Sequence, residues 1–514
     1  MENISANSKR IFKNTLLLYV RMGFSMIVGL YTSRLLLQAL GIDDYGINNV
    51  VGGLVSLFSI VSGSLTTAIS RFLTIELGSD NQERLKAVFT TSLIIQLALA
   101  IIVFIVCEII GVWFLNSYLV IPAERMYAAH WVFHISLIIF SVNLLNIPYG
   151  SLIIAHEKMS IYAYIGLLNT FFTLITTILI FYSSYDKLIF YSILNLLVNL
   201  LNQIIYWVYC RKNFVESHLS ISIIDKSLFK NIFSFASWNF IGAASYALKD
   251  QGGNILLNMF CGPAVNAARG IATAVNRYVG QFVNNFTIAV NPQITKSYAN
   301  KDYQNMFSLM FRSARFSYYL FFIFALPLML NINFILDLWL HEVPEHTSSF
   351  TILILIQSLL DTLSNPLVIA MLATGRIRNY QIVVGGIQFL NVPVSYIFLN
   401  LGYFPEIVMI VSLILSVMCI IMRMVMLSRI IPFNINSYLR NVVVNVSAVS
   451  IVSLIIPLLL TIYLQSNFIN VIIIIFTSIL ISFLVILYIG CTYNERSFVL
   501  SKISIFKDKF IQKR

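Results

Sequence analysis

Residues 238–286 read WNFIGAASYALKDQGGNILLNMFCGPAVNAARGIATAVNRYVGQFVNNF. The background is that of lipid-embedded helices, yet it holds Lys249, Asp250, Arg269 and Arg277. A charge at membrane depth costs about 2.5–3.5 kcal/mol on insertion scales, so it persists only with a partner, a wet cavity or a task. Reading this stretch as two membrane helices with polar faces decides the fold, and the rest of the chain supports it.

The 514 residues are 59% hydrophobic and 11% charged, with a mean hydropathy of +0.85. Soluble domains carry about 25% charged residues, so the chain is expected to be an integral membrane protein. Apolar runs long enough to cross a hydrocarbon core of about 30 Å recur throughout, which implies helices. The net charge of +12 is scattered over short loops and the C-terminal tail. It fits membrane topology and anionic lipid headgroups and offers no nucleic-acid groove. Cys107, Cys210, Cys261, Cys419 and Cys491 fall singly, without metal spacing, and read as packing residues. Lys9, Arg10 and Lys13 precede an apolar run to Leu40, too long for a signal peptide and without a cleavage site.

Apolar runs and their breakers give fourteen spans: 11–40, 45–75, 86–115, 123–153, 159–183, 187–210, 229–257, 263–292, 305–332, 347–373, 378–400, 405–430, 440–463 and 468–491. Spans two, seven and eight are weakly apolar and can escape a hydropathy window. With both termini cytoplasmic, the loops and near-loop turns of that side hold most Lys and Arg, including Arg312, Arg315, Arg423 and Arg440, against Arg125 and Lys187 on the other.

The chain divides into an N-terminal lobe of six spans (1–211), an interlobe loop (212–228), a C-terminal lobe of six (229–432), and two further spans with a basic tail (433–514). Leu36-Leu37-Gln38 before Gly41 recurs as Leu256-Leu257-Asn258 before Gly262, and Phe12-Lys13-Asn14 as Phe229-Lys230-Asn231. Halves with an even number of spans share orientation, which implies a parallel pseudo-twofold repeat. The last two spans are expected at the lipid-facing periphery.

Helical spacing gathers the polar residues into faces. Span seven aligns Asn239, Gly242, Tyr246, Lys249, Asp250 and Gly253; span eight aligns Arg269, Thr273, Asn276, Gly280 and Asn284, with Arg277 at the edge. Span two carries Ser56, Ser59, Gly63, Thr67 and Ser70, and span one adds Arg21 and Arg34. The first two helices of each half are thus expected to surround a hydrated cavity. Arg21, Arg34, Lys249, Arg269 and Arg277 would make it positive, and guanidinium forks match phosphate oxygens. An anionic ligand follows. Asp250 is open between ion pair and coupling site; Asp361, near Pro366, and Glu108 are further candidates for proton or sodium coupling. His130 and His134 share a face but lack an HExxH context for metal. With no Walker loop and no nucleophile elbow, neither ATP hydrolysis nor catalysis has a foothold, and no cofactor is expected.

The run Leu40-Gly41-Ile42-Asp43-Asp44-Tyr45-Gly46, the helix through Ser70-Arg71-Phe72, Asn291-Pro292-Gln293-Ile294-Thr295-Lys296-Ser297-Tyr298 and Ala373-Thr374-Gly375-Arg376-Ile377 resemble the bacterial oligosaccharide repeat-unit flippases of the multidrug/oligosaccharidyl-lipid/polysaccharide superfamily. The resemblance implies an all-α, V-shaped bundle of two six-helix lobes plus two helices. It implies flipping of undecaprenyl-pyrophosphate-linked oligosaccharides to the outer leaflet of a bacterial inner membrane, with the pyrophosphate on cavity cations. Lipid II flippases are similar and compete. A cation-coupled drug exporter would need an acidic cavity, and a membrane glycan polymerase or acyltransferase a larger extracytoplasmic loop than residues 333–346.

Overall fold

The computed structural model describes residues 23–56, 82–156, 158–218, 244–245, 247–340, 342–374, 376–465 and 467–497, with scattered positions between 58 and 77. These residues are helical, and no strand occurs among them. In chain order the helices are α1 (Gly23–Leu40), α2 (Ile42–Ser56), α3 (Gln82–Ser117), α4 (Ala123–Ala155), α5 (Ser160–Tyr182), α6 (Lys187–Asn213), α7 (247–261) and α8 (Pro263–Ala299). There follow α9 (Tyr303–Leu330), α10 (Ile332–Trp339), α11 (Thr347–Ala373), α12 (Arg378–Asn400), α13 (Ile407–Ser428), α14 (Ile435–Tyr463) and α15 (Phe468–Gly490).

Eleven of the described helices are long and apolar enough to cross a membrane. They coincide with eleven of the fourteen expected spans; those outside the set are the weakly apolar spans two, seven and eight. Span eight is present as the 37-residue α8, while parts of spans two and seven lie outside the described residues.

The chain separates into two compact units. One comprises Met1–Ile271, Leu340–Thr347 and Gln388–Val408; the other comprises Ala272–Trp339, Ser348–Ile387 and Met409–Arg514. In the first, α4 packs on α6, α3 and α2, around Val50, Val51, Phe133, Leu137 and Leu144. Its second cluster joins Phe89, Tyr149 and Leu152. In the second, α9 packs on α14 and α15, and Met306, Met310, Ala314, Tyr319 and Tyr438 form a core with α11 and α13 residues. Lipid is as apolar as leucine, so burial alone does not drive helices together in a bilayer; small side chains and interhelical hydrogen bonds do. Buried Ser313, Ala314 and Ser317 on α9, with the Tyr438 hydroxyl donating to the Leu363 carbonyl at 2.6 Å, supply both. The α14 and α15 helices expose Ile451, Ile462, Ile469 and Phe476, the surface expected of peripheral membrane helices.

Glycines set the close approaches. A Cβ on Gly46 would sit 1.9 Å from the Pro263 carbonyl oxygen, and one on Gly270 1.8 Å from Asn49 Nδ2. Gly46 thus lets α2 meet the backbone at the start of α8, and Gly270 leaves room on α8 for the Asn49 side chain. The sequence repeat reappears as geometry. Gly41 ends α1 at φ +80° and Gly262 ends α7 at φ +83°, donating to Leu37 O at 2.8 Å and Asn258 O at 2.9 Å. Both are left-handed C-caps, where an L side chain is strained and glycine is not.

Gly41→Ala and Gly262→Ala should each lower stability by about 1–2 kcal/mol, the cost of a Cβ in the left-handed region. Gly52→Ala, in α2 with open space around it, should be neutral or stabilising. Thermal unfolding of the three purified variants checks this; equal midpoints for all three would contradict it.

Candidate functional site

Within the first unit, α7, the beginning of α8, α2 and the end of α12 meet in a polar layer. Asn266 Nδ2 donates to the Asn254 carbonyl at 2.7 Å and to Asn254 Oδ1 at 2.8 Å. Space above Gly53 is filled by Gln251 and Asn254: its Cβ would meet Gln251 Oε1 at 2.7 Å. From α12, Asn391 Nδ2 donates to the Lys249 carbonyl at 3.3 Å.

Arg269 is the charged centre of this layer. It is 7% exposed, and its Nη2 donates to Asp250 Oδ1 at 2.7 Å and to the Asp250 carbonyl at 2.8 Å. Asp250 keeps 47% of its side chain exposed and also accepts from Gln251 Nε2 at 3.0 Å. Of the two roles open to Asp250, the ion pair is formed in this structure. The Arg269 Nε is buried without an acceptor. Lys249, next to this pair, is 5% exposed.

Arg34 lies half-buried on α1, with no hydrogen bond or ion pair among the described residues. In the second unit Arg277 is exposed and lies over the Tyr278 ring at 5.9 Å. Thr273 and Asn276 are half-buried nearby on α8, and Asn276 Oδ1 is a buried acceptor without a partner. Asp361 is half-buried in α11, which contains Pro366. Arg21, Ser59, Thr67, Asn239 and Tyr246 lie outside the described residues.

Glu108 is committed locally: His134 Nδ1 lies 2.8 Å from its Oε1. It sits in a π-turn, Cys107–Gly111, at which a Cβ on Gly111 would strike the Phe133 ring at 2.4 Å. His130 Nε2 lies 3.0 Å from Asn116 Oδ1. Among the described residues no group of three or more metal-binding side chains forms.

Several polar groups escape a spacing-based reading. Arg125 is clamped between two carboxylates. Its Nε and Nη2 donate to Asp44 at 2.7 and 2.6 Å, and Nη1 donates to Asp186 Oδ2 at 2.5 Å. This ties the starts of α2, α4 and α6 together. Asp186 also caps α6, accepting from the backbone of Leu188 and Ile189. Asn258 of α7 holds the backbone of Val120 on both sides, accepting from its N–H at 2.8 Å and donating to its carbonyl at 3.3 Å.

Arg315 and Arg423, read from the sequence as loop or near-loop charges, are buried within α9 and α13. Arg315 pairs with Glu495 at 2.8 Å; Arg423 donates to the Tyr380 hydroxyl at 3.1 Å and to Ser364 Oγ. Charge counting cannot separate a snorkelled arginine from a buried one. The usable signal is the small-residue neighbourhood Ser313, Ala314 and Ser317, which makes room for a second helix.

No family model matches the chain, and no curated protein matches it in sequence. Solved structures do. A lipid II flippase MurJ in an inward closed conformation aligns with a TM-score of 0.71 at 15% identity, covering 91% of this chain and 98% of that one. An inward-facing multidrug resistance MATE family transporter of the MOP superfamily gives 0.65 at 12% identity, covering 80% and 98%. A MOP superfamily transporter from Pyrococcus furiosus, described as having a binding pocket of reverse polarity, gives 0.61 at 13% identity, covering 81% and 95%. The chain therefore has the all-helical fold of MOP-superfamily transporters, which the sequence resemblance implied.

Two outcomes follow. Asp250→Ala strands a buried guanidinium and should cost about 2 kcal/mol, whereas Arg269→Met leaves a carboxylate that water reaches and should cost less, about 1 kcal/mol or below. Thermal unfolding gives the order, and the reverse order would place the desolvation cost on the carboxylate.

At the clamp, burial holds the Asp44 carboxyl above its usual 3.8 despite Arg125, with the Asp186 charge adding to the rise. Burial also acts on Asp186, but the Arg125 hydrogen bond and the Ile189 and Leu188 amides outweigh it and hold its carboxyl below 3.8. Asp186 thus contributes stability that is present above its unfolded pKa and lost as pH falls through its lower folded value. Asp44 has the opposite sign and takes its proton first. Infrared titration with Asp44→Asn and Asp186→Asn should assign the higher-pH carboxyl signal to Asp44.

Proposed function

We propose that this chain is a transporter that flips undecaprenyl-pyrophosphate-linked oligosaccharide repeat units from the cytoplasmic to the outer leaflet of a bacterial inner membrane. The observation that carries the reading is the charge of the polar helices. Arg34, Lys249, Arg269 and Arg277 stand on α1, α7 and α8, and the carboxylate among them, Asp250, is taken up by Arg269. A cation-exporting drug transporter would hold the reverse. Guanidinium and ammonium groups near apolar helices suit a pyrophosphate better than a neutral or cationic solute. Arg34 and Arg277, which give no charge-assisted bond to a protein group among the described residues, are the cations available to it. Both termini would be cytoplasmic, and the lobes of 1–211 and 229–432 would rock about the cavity while the polyprenyl tail stays in lipid. Coupling to proton or sodium would fall to a carboxylate among Asp250, Asp361 and Glu108, of which Asp250 pairs with Arg269 and Glu108 with His134 in this state.

A second reading is flipping of lipid II. It is favoured by the match to the structure of that name, which accounts for 91% of this chain where the MATE structure accounts for 80%. Both readings share a polyprenyl-pyrophosphate and differ in the glycan. Deleting the protein and identifying which lipid-linked glycan accumulates on the cytoplasmic leaflet separates them.

Arg277→Ala and Lys249→Ala, with insertion verified, should reduce export tenfold or more, about 1.4 kcal/mol per decade of lost transition-state or binding stabilisation. Arg277 is exposed, so its loss leaves folding intact. Full export by both variants would sink the site assignment.

A further inference from the structure

Away from these residues, α9, α14 and α15 of the second unit enclose a recess of about 520 Å³. Two π-turns line it, Leu439–Val444 at the start of α14 and Ile486–Gly490 at the end of α15. A π-turn inserts a residue into an α-helix and is found frequently at functional sites. Here the second one turns the Gly490 carbonyl toward the other two helices, where it accepts from Arg315 Nη1 at 2.8 Å, Tyr319 Oη at 3.3 Å and Asn445 Nδ2 at 3.4 Å.

Three guanidiniums face this recess, those of Arg312, Arg315 and Arg440, against one carboxylate, Glu495. Glu495 is fully used. It accepts from Arg315 Nη2 at 2.8 Å, from the Thr492 amide at 2.8 Å, and pairs with Arg312 Nε at 3.2 Å. That pairing orients Arg312 and leaves its two Nη groups uncommitted, with half of the side chain exposed. Arg315 Nε is buried without an acceptor. Arg440 is exposed and has no hydrogen bond or ion pair among the described residues. Such a set is complementary to an anion, and planar forks from two helices suit the tetrahedral oxygens of a phosphate.

We propose that the recess binds the phosphate of an anionic lipid in the leaflet that holds this end of α15, the cytoplasmic leaflet in the reading given above. Apolar side chains, Phe311, Val444 and Ile489, line the recess beside the arginines. On two of the same helices, α14 and α15, Ile451, Leu484 and Tyr488 present an exposed apolar surface. A headgroup seated on Arg312 and Arg440 would lay its acyl chains along that surface, whereas a soluble phosphate would leave the apolar lining without a use. The chain after Glu495 carries Lys502, Lys507, Lys509, Lys513 and Arg514, a basic segment of the kind drawn to an anionic membrane surface.

The test reads lipid retention and not transport, so it stands or falls apart from the flippase reading. The full chain is delipidated in detergent, offered phosphatidylglycerol or phosphatidylcholine, and followed by native mass spectrometry, alone and with excess inorganic phosphate. Retention of phosphatidylglycerol over phosphatidylcholine is expected, with a loss of about tenfold in Arg440→Gln and in Arg312→Gln and no displacement by inorganic phosphate. Arg440 is exposed and makes no hydrogen bond or ion pair among the described residues, so its variant tests binding with little folding penalty. Equal retention of both lipids, unchanged retention in both variants, or displacement by inorganic phosphate would each overturn the proposal.

Discussion

A guanidinium cannot be left unpaired among apolar helices, and the ion pair of Arg269 with Asp250 is where this chain meets that requirement most directly. Arg269 sits one residue before Gly270, where the Asn49 side chain of α2 occupies the space a Cβ on α8 would take. Asp250 lies on α7, whose Gln251 and Asn254 fill the space over Gly53. The pair therefore stands where three helices are drawn together by glycines and joined by amides. In lipid, where apolar burial does not distinguish one helix contact from another, such a layer sets which helices meet. Its acid is half-exposed and its base is buried, so the arrangement is stable only as a pair.

The first unit repeats the solution at its loops. Arg125 satisfies two carboxylates from the starts of α2 and α6, and Asn258 does for the backbone of Val120 what a strand neighbour would do in a sheet. Both connect segments distant in sequence, by 81 and 138 positions. Such links let short loops hold defined positions without a folded extramembrane domain.

The legible parts of the fold are those that a one-dimensional pattern can carry. Eleven spans follow from apolar length alone, and the Leu-Leu-polar run before Gly41 and Gly262 marks two left-handed caps because only glycine is at ease there. Span eight was readable only as a polar face, since Arg269, Asn276 and Arg277 depress its hydropathy. Partnership was not legible. Spacing placed Lys249 and Asp250 on one face but could not say that Asp250 turns to Arg269. It also placed Arg315 and Arg423 with the topogenic loop charges, although each is buried against a partner contributed from elsewhere in the chain. For Glu108, a coupling candidate in the sequence, the pairing is illegible because His134 lies 26 positions away, across a helical hairpin.

The arginines then divide by commitment. Arg125, Arg269, Arg315 and Arg423 give charge-assisted or neutral hydrogen bonds to protein acceptors, so what they contribute is spent on the fold. Arg34, Arg277 and Arg440 make no such bonds among the described residues. A cation that is structural needs its partner at all times, whereas one that binds and releases an anion must be stable without it, which requires access to water or headgroups. Arg277 and Arg440 are exposed and Arg34 is half-buried, as that condition demands. A residue type that sequence alone treats as one class thus falls into two sets, which burial and saturation separate.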